Sequence, residues 1–230
     1  MKRTCFLPAF LLLAFALGAV SCDLLVPTPD PELEMSIDLA SPLEINAEGG
    51  RVSVQIESNC PWRAQAYPGN GFYFIRMVTS KGQSGTSTLE FEVIPNLLAV
   101  QKLGSVQVTA SNEKGQRTFD ISVRQSGAEP FAELLDWQDP LVPAEGGTVS
   151  LRILSNTSAA LICRDPAIKI SIEDDPNGLI GGNPVTSRVA ITVPANPSTE
   201  ARSFNLELIC ATQAGKFSMG TFVLRQAAGA

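Results

Sequence analysis

Apolar and polar residues alternate in short runs along most of the chain, which is the pattern of β-strands with one buried and one solvated face. Leu89, Phe91 and Val93 form one such run, and an equivalent run of valine and isoleucine occurs at 189–193. Successive side chains of a strand point to opposite faces, so each run predicts a strand that packs its apolar side on a core. No stretch after residue 22 sustains a helical period. The chain is therefore predicted to be all-β.

The strand pattern occurs twice because the chain contains an internal repeat. The sequence Ala-Glu-Gly-Gly stands at 47–50 and again at 144–147, each time followed by an alternating apolar run that ends in Ser-Asn. Val-Arg-Gln at 123–125 corresponds to Leu-Arg-Gln at 224–226. The spacing between matched positions runs from 97 to 101 residues. A period of this length indicates two homologous domains rather than a solenoid.

Turn-forming residues separate the predicted strands within each copy. Glu-Gly-Gly at 48–50 and Asn-Glu-Lys-Gly at 112–115 are two examples, and paired glycines suit a tight turn that needs positive φ. Several short strands closed by turns over about 90 residues predict a two-sheet sandwich. We therefore expect one β-sandwich over residues 34–127 and a second, divergent one over residues 128–230.

The N-terminus has the features of a secretion signal. Lys2 and Arg3 precede an apolar run that ends in small residues directly before Cys22. Residues 1–21 are therefore predicted to be a signal peptide. The small residues before Cys22 resemble a lipobox, which implies cleavage there and acylation of the Cys22 sulfur; an ordinary secreted protein is the alternative. Alternate prolines at 22–33 favour extended backbone and predict a tether.

The composition argues against most catalytic and metal-binding arrangements. The chain has no histidine, so a Ser-His-Asp triad cannot form and the commonest metal ligand is missing. No cofactor and no metal is expected, although Glu173-Asp174-Asp175 could offer oxygen ligands to calcium instead of forming a solvated turn. A formal net charge of −6 without a basic cluster argues against nucleic acid as a partner.

An aromatic cluster surrounds Pro68-Gly69-Asn70-Gly71 in the first copy. Tyr67 precedes this loop, and Phe72, Tyr73 and Phe74 follow it. If Phe72 and Phe74 point into the core at period-two spacing, Tyr73 points out. Tyr67 and Tyr73 are therefore the candidate ligand-binding residues, since an exposed ring can stack on the apolar face of a sugar. The corresponding stretch of the second copy carries isoleucine instead, at Ile168, Ile170 and Ile172.

The tryptophans and cysteines have mainly structural interpretations. Trp62 is predicted to be a core residue, because a sandwich of this size usually has one large central side chain. Trp137 is predicted to be core because it aligns with Leu39 of the first copy. Cys60, Cys163 and Cys210 remain after the signal peptide and Cys22 are set aside. Cys163 and Cys210 lie on two predicted strands of one domain and could form a disulfide; two buried free thiols are the alternative.

Several of these motifs together resemble one known family. Ala-Glu-Gly-Gly, the alternating strand after it, Ser58-Asn59, Trp62 and the closing Val-Arg-Gln-Ser-Gly at 123–127 look like the BACON domain (Bacteroidetes-associated carbohydrate-binding often N-terminal). The likeness covers residues 35–127 well and residues 131–230 more weakly, because no tryptophan follows the repeated strand there. It implies an immunoglobulin-like β-sandwich in cell-envelope proteins, often beside glycan-degrading domains.

Three functional hypotheses from different classes follow. The leading one is a non-catalytic envelope lipoprotein that binds glycan or mucin or serves as an accessory module. The second is a structural spacer or assembly protein without a small-molecule ligand. A divergent hydrolase is the remote third. The expected location is the cell envelope, with a lipid anchor in the outer membrane. The periplasmic face and the cell-surface face of that membrane both stay as alternatives. The expected partners are the membrane, a polysaccharide or host glycan, or other envelope proteins.

The lipid anchor gives the first testable prediction. Cys22→Ser removes the sulfur that would carry the acyl chain, so the variant should leave the membrane fraction or accumulate as unprocessed precursor. Fractionation of cells, with detection of the protein by immunoblot, measures both outcomes. A variant that is processed and sediments with the envelope like the parent would contradict lipidation at Cys22.

Overall fold

The computed structural model describes residues 32–39, 41–173 and 182–229, and these form strands without a helix. The first nine strands are β1 (Met35–Ile37), β2 (Leu43–Ile45), β3 (Gly50–Ser58), β4 (Trp62–Pro68), β5 (Ile75–Met77), β6 (Lys81–Gly82), β7 (Gly85–Val93), β8 (Lys102–Asn112) and β9 (Gly115–Gln125). The remaining eight are β10 (Ala132–Leu135), β11 (Leu141–Val142), β12 (Gly147–Ser155), β13 (Ser158–Cys163), β14 (Lys169–Glu173), β15 (Val185–Val193), β16 (Arg202–Thr212) and β17 (Gly215–Gln226).

The strands form two β-sandwiches of the same topology. In the first sandwich, β1 to β9, one sheet has the order β1-β3-β7-β5 and the other β2-β9-β8-β4-β6. In the second sandwich, β10 to β17, the orders are β10-β12-β15-β14 and β11-β17-β16-β13. Neighbours are antiparallel except that β2 runs parallel to β9 and β11 runs parallel to β17. This is the order of immunoglobulin-like strands, with the first strand divided between the sheets. The all-β fold of tandem immunoglobulin-like sandwiches is therefore confirmed.

Each sandwich has its own core, built from the inward residues of the alternating strands. Leu89, Phe91 and Val93 are buried in the first, and Val189, Ile191 and Val193 are buried in the second. The side chains that stand between them along these strands are exposed or partly exposed. The period-two pattern of the sequence therefore identifies the inner faces correctly.

Trp62 is the large central side chain of the first core, as predicted. It is 1% exposed, and its indole Nε1 donates to Ser87 Oγ at 2.7 Å. Gly82 lies against the indole so closely that an added Cβ would stand 2.4 Å from it. Trp62 faces Ala110 across β4 and β8, whereas Ala159 faces Cys210 at the matching place in the second sandwich. The second core is thus packed with smaller side chains at this point.

The repeated Ala-Glu-Gly-Gly forms a tight turn that only glycine can make. Gly49 has φ 70° and Gly146 has φ 86°, both in the left-handed region. A Cβ on Gly49 would come within 2.2 Å of the Val93 carbonyl oxygen, and one on Gly146 within 2.5 Å of the Val193 oxygen. The motif is therefore explained by backbone geometry.

A buried glutamine closes each sandwich at the end of its last strand. The Gln125 amide Nε2 donates to the carbonyls of Ala47 at 3.2 Å and Ile94 at 2.9 Å. The Gln226 amide donates to Pro143 at 3.1 Å, to Ala144 at 3.4 Å and to Pro194 at 2.9 Å. Each amide therefore ties the Ala-Glu-Gly-Gly turn to the end of the neighbouring long strand.

Two pairs of equivalent asparagines also bind backbone groups through their side-chain amides. Asn96 and Asn196 each donate to two carbonyls and accept from a backbone amide two residues on. Asn59 and Asn156 accept from the backbone amides of Glu34 and Phe131 and donate to a carbonyl two residues before each. The polar residues of the repeat are accordingly internal supports, since buried polar groups are held by such bonds.

The predicted disulfide between Cys163 and Cys210 is wrong. Both cysteines are free, as is Cys60. On the adjacent strands β13 and β16, Cys210 faces Ala159 and Cys163 faces Leu206. The two cysteines are therefore offset by four residues, or roughly 13 Å along the strand. A disulfide requires Cα atoms within about 7 Å, and burial raises the pKa of the Cys210 thiol instead.

Trp137 is partly buried against the second core, with its ring 5.4 Å from that of Phe222 in an edge-to-face arrangement. The signal peptide, Cys22 and most of the tether lie outside the described residues, as do Asp174 and Asp175. No helix within the described ranges is long and apolar enough to cross a membrane.

Candidate functional site

The loop between β4 and β5 presents Tyr73 to solvent. Tyr73 is 84% exposed, whereas Phe74 beside it is 2% exposed and belongs to the first core. Phe72 is partly buried against that core. Residues 72–74 precede β5 rather than forming a strand, yet they alternate in and out as the spacing predicts. The outward orientation of Tyr73 is therefore confirmed, while its role in binding stays a prediction.

Backbone and side-chain contacts fix this loop in place. Asn70 Nδ2 donates to the Gln101 carbonyl at 2.9 Å, and Asn70 Oδ1 accepts from the Leu103 amide at 3.1 Å. The Gly69 amide donates to the Leu103 carbonyl at 2.7 Å. A Cβ on Gly104 would come within 3.0 Å of the Phe74 ring. Tyr73 therefore projects from a supported loop, which lowers the entropy cost of binding.

Tyr67 and Tyr73 come together, as the sequence interpretation requires. Tyr67 is 42% exposed at the end of β4, and both tyrosines line one cleft. The cleft has a volume of about 20 Å³, which is space for roughly one water molecule and none for a sugar ring. A ligand would therefore lie across the tyrosine rings rather than enter between them.

A larger groove adjoins Tyr73 on its other side. Its volume is about 530 Å³, and it is lined by Phe72, Tyr73, Ile94, Leu97 and Lys102. Gly182 and Asn183, which precede β15, also line it. Tyr73, Ile94 and Leu97 are large apolar side chains that are 84%, 37% and 48% exposed. Exposed apolar residues gathered around one groove are typical of binding sites, unlike single scattered ones.

Lys102 is the one charged side chain among the lining residues of this groove that the structure describes. The residue is 3% exposed, and burial lowers the pKa of its ammonium group. Its Nζ lies 5.5 Å from the centroid of the Phe72 ring. Within the described ranges Lys102 has no hydrogen-bond or ion-pair partner, in contrast to Arg76, Arg124 and Arg152, each of which pairs with a carboxylate.

The second sandwich has Arg202 at the position of Lys102. Both residues begin a long strand and face the closing glutamine, Gln125 for Lys102 and Gln226 for Arg202. Arg202 Nε donates to Gln226 Oε1 at 2.8 Å, and Nη2 donates to the carbonyls of Pro194 and Ala195, each at 3.1 Å. Gln125 Oε1, by contrast, is buried without a partner among the described residues. Among the described residues, the cation of the second sandwich has internal hydrogen-bond partners and that of the first sandwich has none.

Sequence reasoning missed Lys102, although the repeat contains a signal for it. The loop before Lys102 reads Leu-Leu-Ala-Val at 97–100, whereas the loop before Arg202 reads Pro-Ser-Thr-Glu at 197–200. Apolar residues and a lysine thus replace polar residues and an arginine at aligned positions. A comparison of the two copies for differences rather than similarities would have identified this groove.

A second, polar groove lies on the outer face of the second sandwich. It has a volume of about 390 Å³ and contains Asp136, Arg152, Glu173 and Arg188. Arg152 Nε and Nη2 donate to the Asp136 carboxylate at 2.8 and 3.1 Å, and these bonds hold the pKa of Asp136 below its usual value. A general acid for glycoside cleavage needs a raised pKa, so Asp136 does not have that property.

Within the described ranges, no group of three or more cysteine and carboxylate side chains could hold a metal ion. The calcium alternative at Glu173-Asp174-Asp175 depends on two residues outside those ranges.

Comparisons with known proteins give likenesses of fold at low similarity. No family model and no curated protein matches the chain, so the resemblance to the BACON family stays a prediction. Among solved structures, titin A168169 is 12% identical, with 82% of this chain and 95% of that chain covered and a TM-score of 0.36. The CsuC–CsuE pre-assembly complex from the Csu pili of Acinetobacter baumannii is 8% identical, with coverage of 86% and 100% and a TM-score of 0.34. These values carry no inference about function.

The orientation of the loop gives a prediction about stability. Tyr73→Ala and Tyr67→Ala should change the free energy of unfolding by only about 0.5 kcal/mol, because both rings are exposed. Phe74→Ala should lower it by about 3–5 kcal/mol, because the ring is buried in the core. Chemical denaturation followed by circular dichroism measures all three variants. A large loss for Tyr73→Ala together with a tolerated Phe74→Ala would show that the loop faces the opposite way.

Proposed function

We propose that this protein is a non-catalytic envelope lipoprotein whose first sandwich binds glycan through Tyr73 and Tyr67. The observation that carries the proposal is the 84% exposure of Tyr73 on a loop held by Asn70, beside a groove with other exposed apolar residues. A large exposed ring on a loop that hydrogen bonds hold in place is suited to contact with a ligand.

The chemistry of the surface favours a sugar over a wholly apolar ligand. A pyranose has an apolar C–H face that can stack on a tyrosine ring, and its hydroxyl groups need polar neighbours at the edge. Tyr67 and Tyr73 both expose a ring and a phenol group within the same cleft. The second sandwich has isoleucines in the corresponding stretch, with Ile168 buried, so we assign the glycan contact to the first sandwich alone.

A binding role fits the residues better than a hydrolytic one. The chain has no histidine to act as a general base, and Arg152 keeps the pKa of Asp136 low in the polar groove of the second sandwich.

The remaining part of the proposal concerns location. Acylation of Cys22 would anchor the chain in the outer membrane, and the proline-rich segment would hold the first sandwich away from it.

A structural spacer is the second candidate, and one feature of the structure favours it. Leu98, which lies outside both core clusters, is nevertheless fully buried, and the Leu98 carbonyl accepts from the Ala128 amide at 2.8 Å. The next residue, Ala99, donates to the Asn156 carbonyl at 3.1 Å. These bonds join the β7–β8 loop to the segment after β9 and to the loop between β12 and β13, and such contacts would stiffen a tandem array that only separates two partners.

A polysaccharide panel tests the glycan proposal against the spacer. The full chain, purified in detergent, should be retained by at least one immobilised neutral or acidic polysaccharide. Tyr73→Ala should weaken that binding roughly fivefold to thirtyfold, the cost of about 1–2 kcal/mol that a contact aromatic typically carries. Retention in affinity electrophoresis measures the effect.

Phe217→Ala is the matched control, because Phe217 is an aromatic residue of the second sandwich that is 41% exposed, close to the 42% of Tyr67. It should bind like the parent. Absence of binding to every polysaccharide at millimolar sugar concentration would reject the glycan proposal and leave the spacer.

A further inference from the structure

Because the two sandwiches are copies of one domain, Arg202 of the second can be compared directly with Lys102 of the first. In the second sandwich the cation at this position, Arg202, donates hydrogen bonds to Gln226, Pro194 and Ala195 and has a structural role. In the first sandwich the shorter Lys102 does not bond to the equivalent Gln125 oxygen, which is left without a partner among the described residues. Its ammonium group instead lies over the Phe72 ring, at the wall of the 530 Å³ groove.

A buried ammonium group without a counterion is unfavourable unless something compensates for it. Charged side chains are almost never fully buried unless they are paired. The Phe72 ring offers a cation–π contact, which is worth less than an ion pair with hydrogen bonds. The other lining residues that the structure describes are apolar or uncharged, so Lys102 is the one described charge of the groove and lies in surroundings of low dielectric. Such a site favours an anion that also has an apolar face.

We propose that this groove binds an acidic sugar, whose carboxylate pairs with the Lys102 ammonium group while its ring lies against Tyr73. The inference rests on the proposed glycan function and adds the chemical class of the ligand. Tyr73 and Lys102 line the same groove, and Ile94 and Leu97 supply its apolar floor and rim. A uronic acid presents both features, a ring with an apolar face and a carboxylate beyond it.

The charge of the whole protein is consistent with local recognition rather than long-range attraction. The formal net charge is −6, so the protein as a whole repels an acidic polymer. Binding must therefore come from a specific cation at short range. For this reason we expect the affinity to depend on Lys102 itself and not on the number of exposed basic residues.

Glucuronate and glucose form a matched pair of probes, because they differ in carrying a carboxylate or a hydroxymethyl group on the same ring. The sequence has six lysines, of which Lys2 lies in the predicted signal peptide, and ¹³C-lysine labelling gives each lysine that remains in the purified protein an ε-methylene signal. The signal of Lys102 is expected upfield of the others because of the Phe72 ring, and its loss in Lys102→Arg assigns it. Titration with glucuronate should shift it, and glucose at equal concentration should not. The exposed Lys169 serves as the internal control and should respond to neither sugar.

Two variants separate charge from geometry. Lys102→Met removes the cation, and Lys102→Arg keeps it but should redirect it to Gln125 Oε1, as Arg202 is directed to Gln226. Both should weaken glucuronate binding roughly tenfold to hundredfold, as loss of a hydrogen bond to a charged group does. Lys102→Arg should also raise the melting temperature, because it supplies the missing partner of Gln125.

The possible results distinguish this inference from the glycan proposal. A glucuronate shift at Lys102 that is lost in Lys102→Arg supports the acidic-sugar site. No shift at Lys102, or full binding by Lys102→Met, overturns it. Tyr73-dependent binding of neutral polysaccharides that is unaffected by Lys102→Met keeps the glycan proposal and overturns the acidic-sugar site. A Lys102 shift without retention on any polysaccharide keeps the carboxylate site and rejects the glycan proposal.

Discussion

The buried amide at the end of the last strand is the constraint on which each sandwich depends. Gln125 and Gln226 are both fully buried, and each donates to a carbonyl of the Ala-Glu-Gly-Gly motif and to the carbonyl of the residue that directly follows β7 or β15. A buried carbonyl that loses its donor costs about 1–3 kcal/mol. One side chain therefore holds the turn that follows β2 or β11 against the end of β9 or β17, the strand with which each pairs in parallel.

The polar residues that the two copies share support the fold, and the candidate site is built from residues that they do not share. The shared glycines, asparagines and glutamines bind backbone or fit against it. Tyr73 and the apolar loop at 97–100 have no equivalent in the second sandwich, and Arg202 stands there in place of Lys102. Once a duplicated domain is held together by its common residues, one copy can change at the remaining positions without loss of stability. The groove of the first sandwich is consistent with that division of roles.

The fold could be predicted from the sequence because strand alternation and Gly-Gly turns are local properties. The inward positions and the outward orientation of Tyr73 follow from period-two spacing, and the core position of Trp62 follows from the need for a large central side chain. Register between strands is not local, and for this reason the disulfide was predicted wrongly: spacing along the chain does not show that Cys163 faces Leu206. The sequence likewise does not predict that Lys102 is buried, because a lysine at a strand end is normally exposed.

The most direct test of this account is native-state amide hydrogen exchange in Gln226→Met, which keeps the side-chain length and removes the donors. The free energy of opening in the second sandwich should fall by about 2 kcal/mol, because buried carbonyls lose their partner. Amides of β15, β16 and β17 should then exchange roughly thirtyfold faster relative to those of β7, β8 and β9. Unchanged exchange in β15 to β17 would contradict the claim that the repeated glutamine holds each sandwich together.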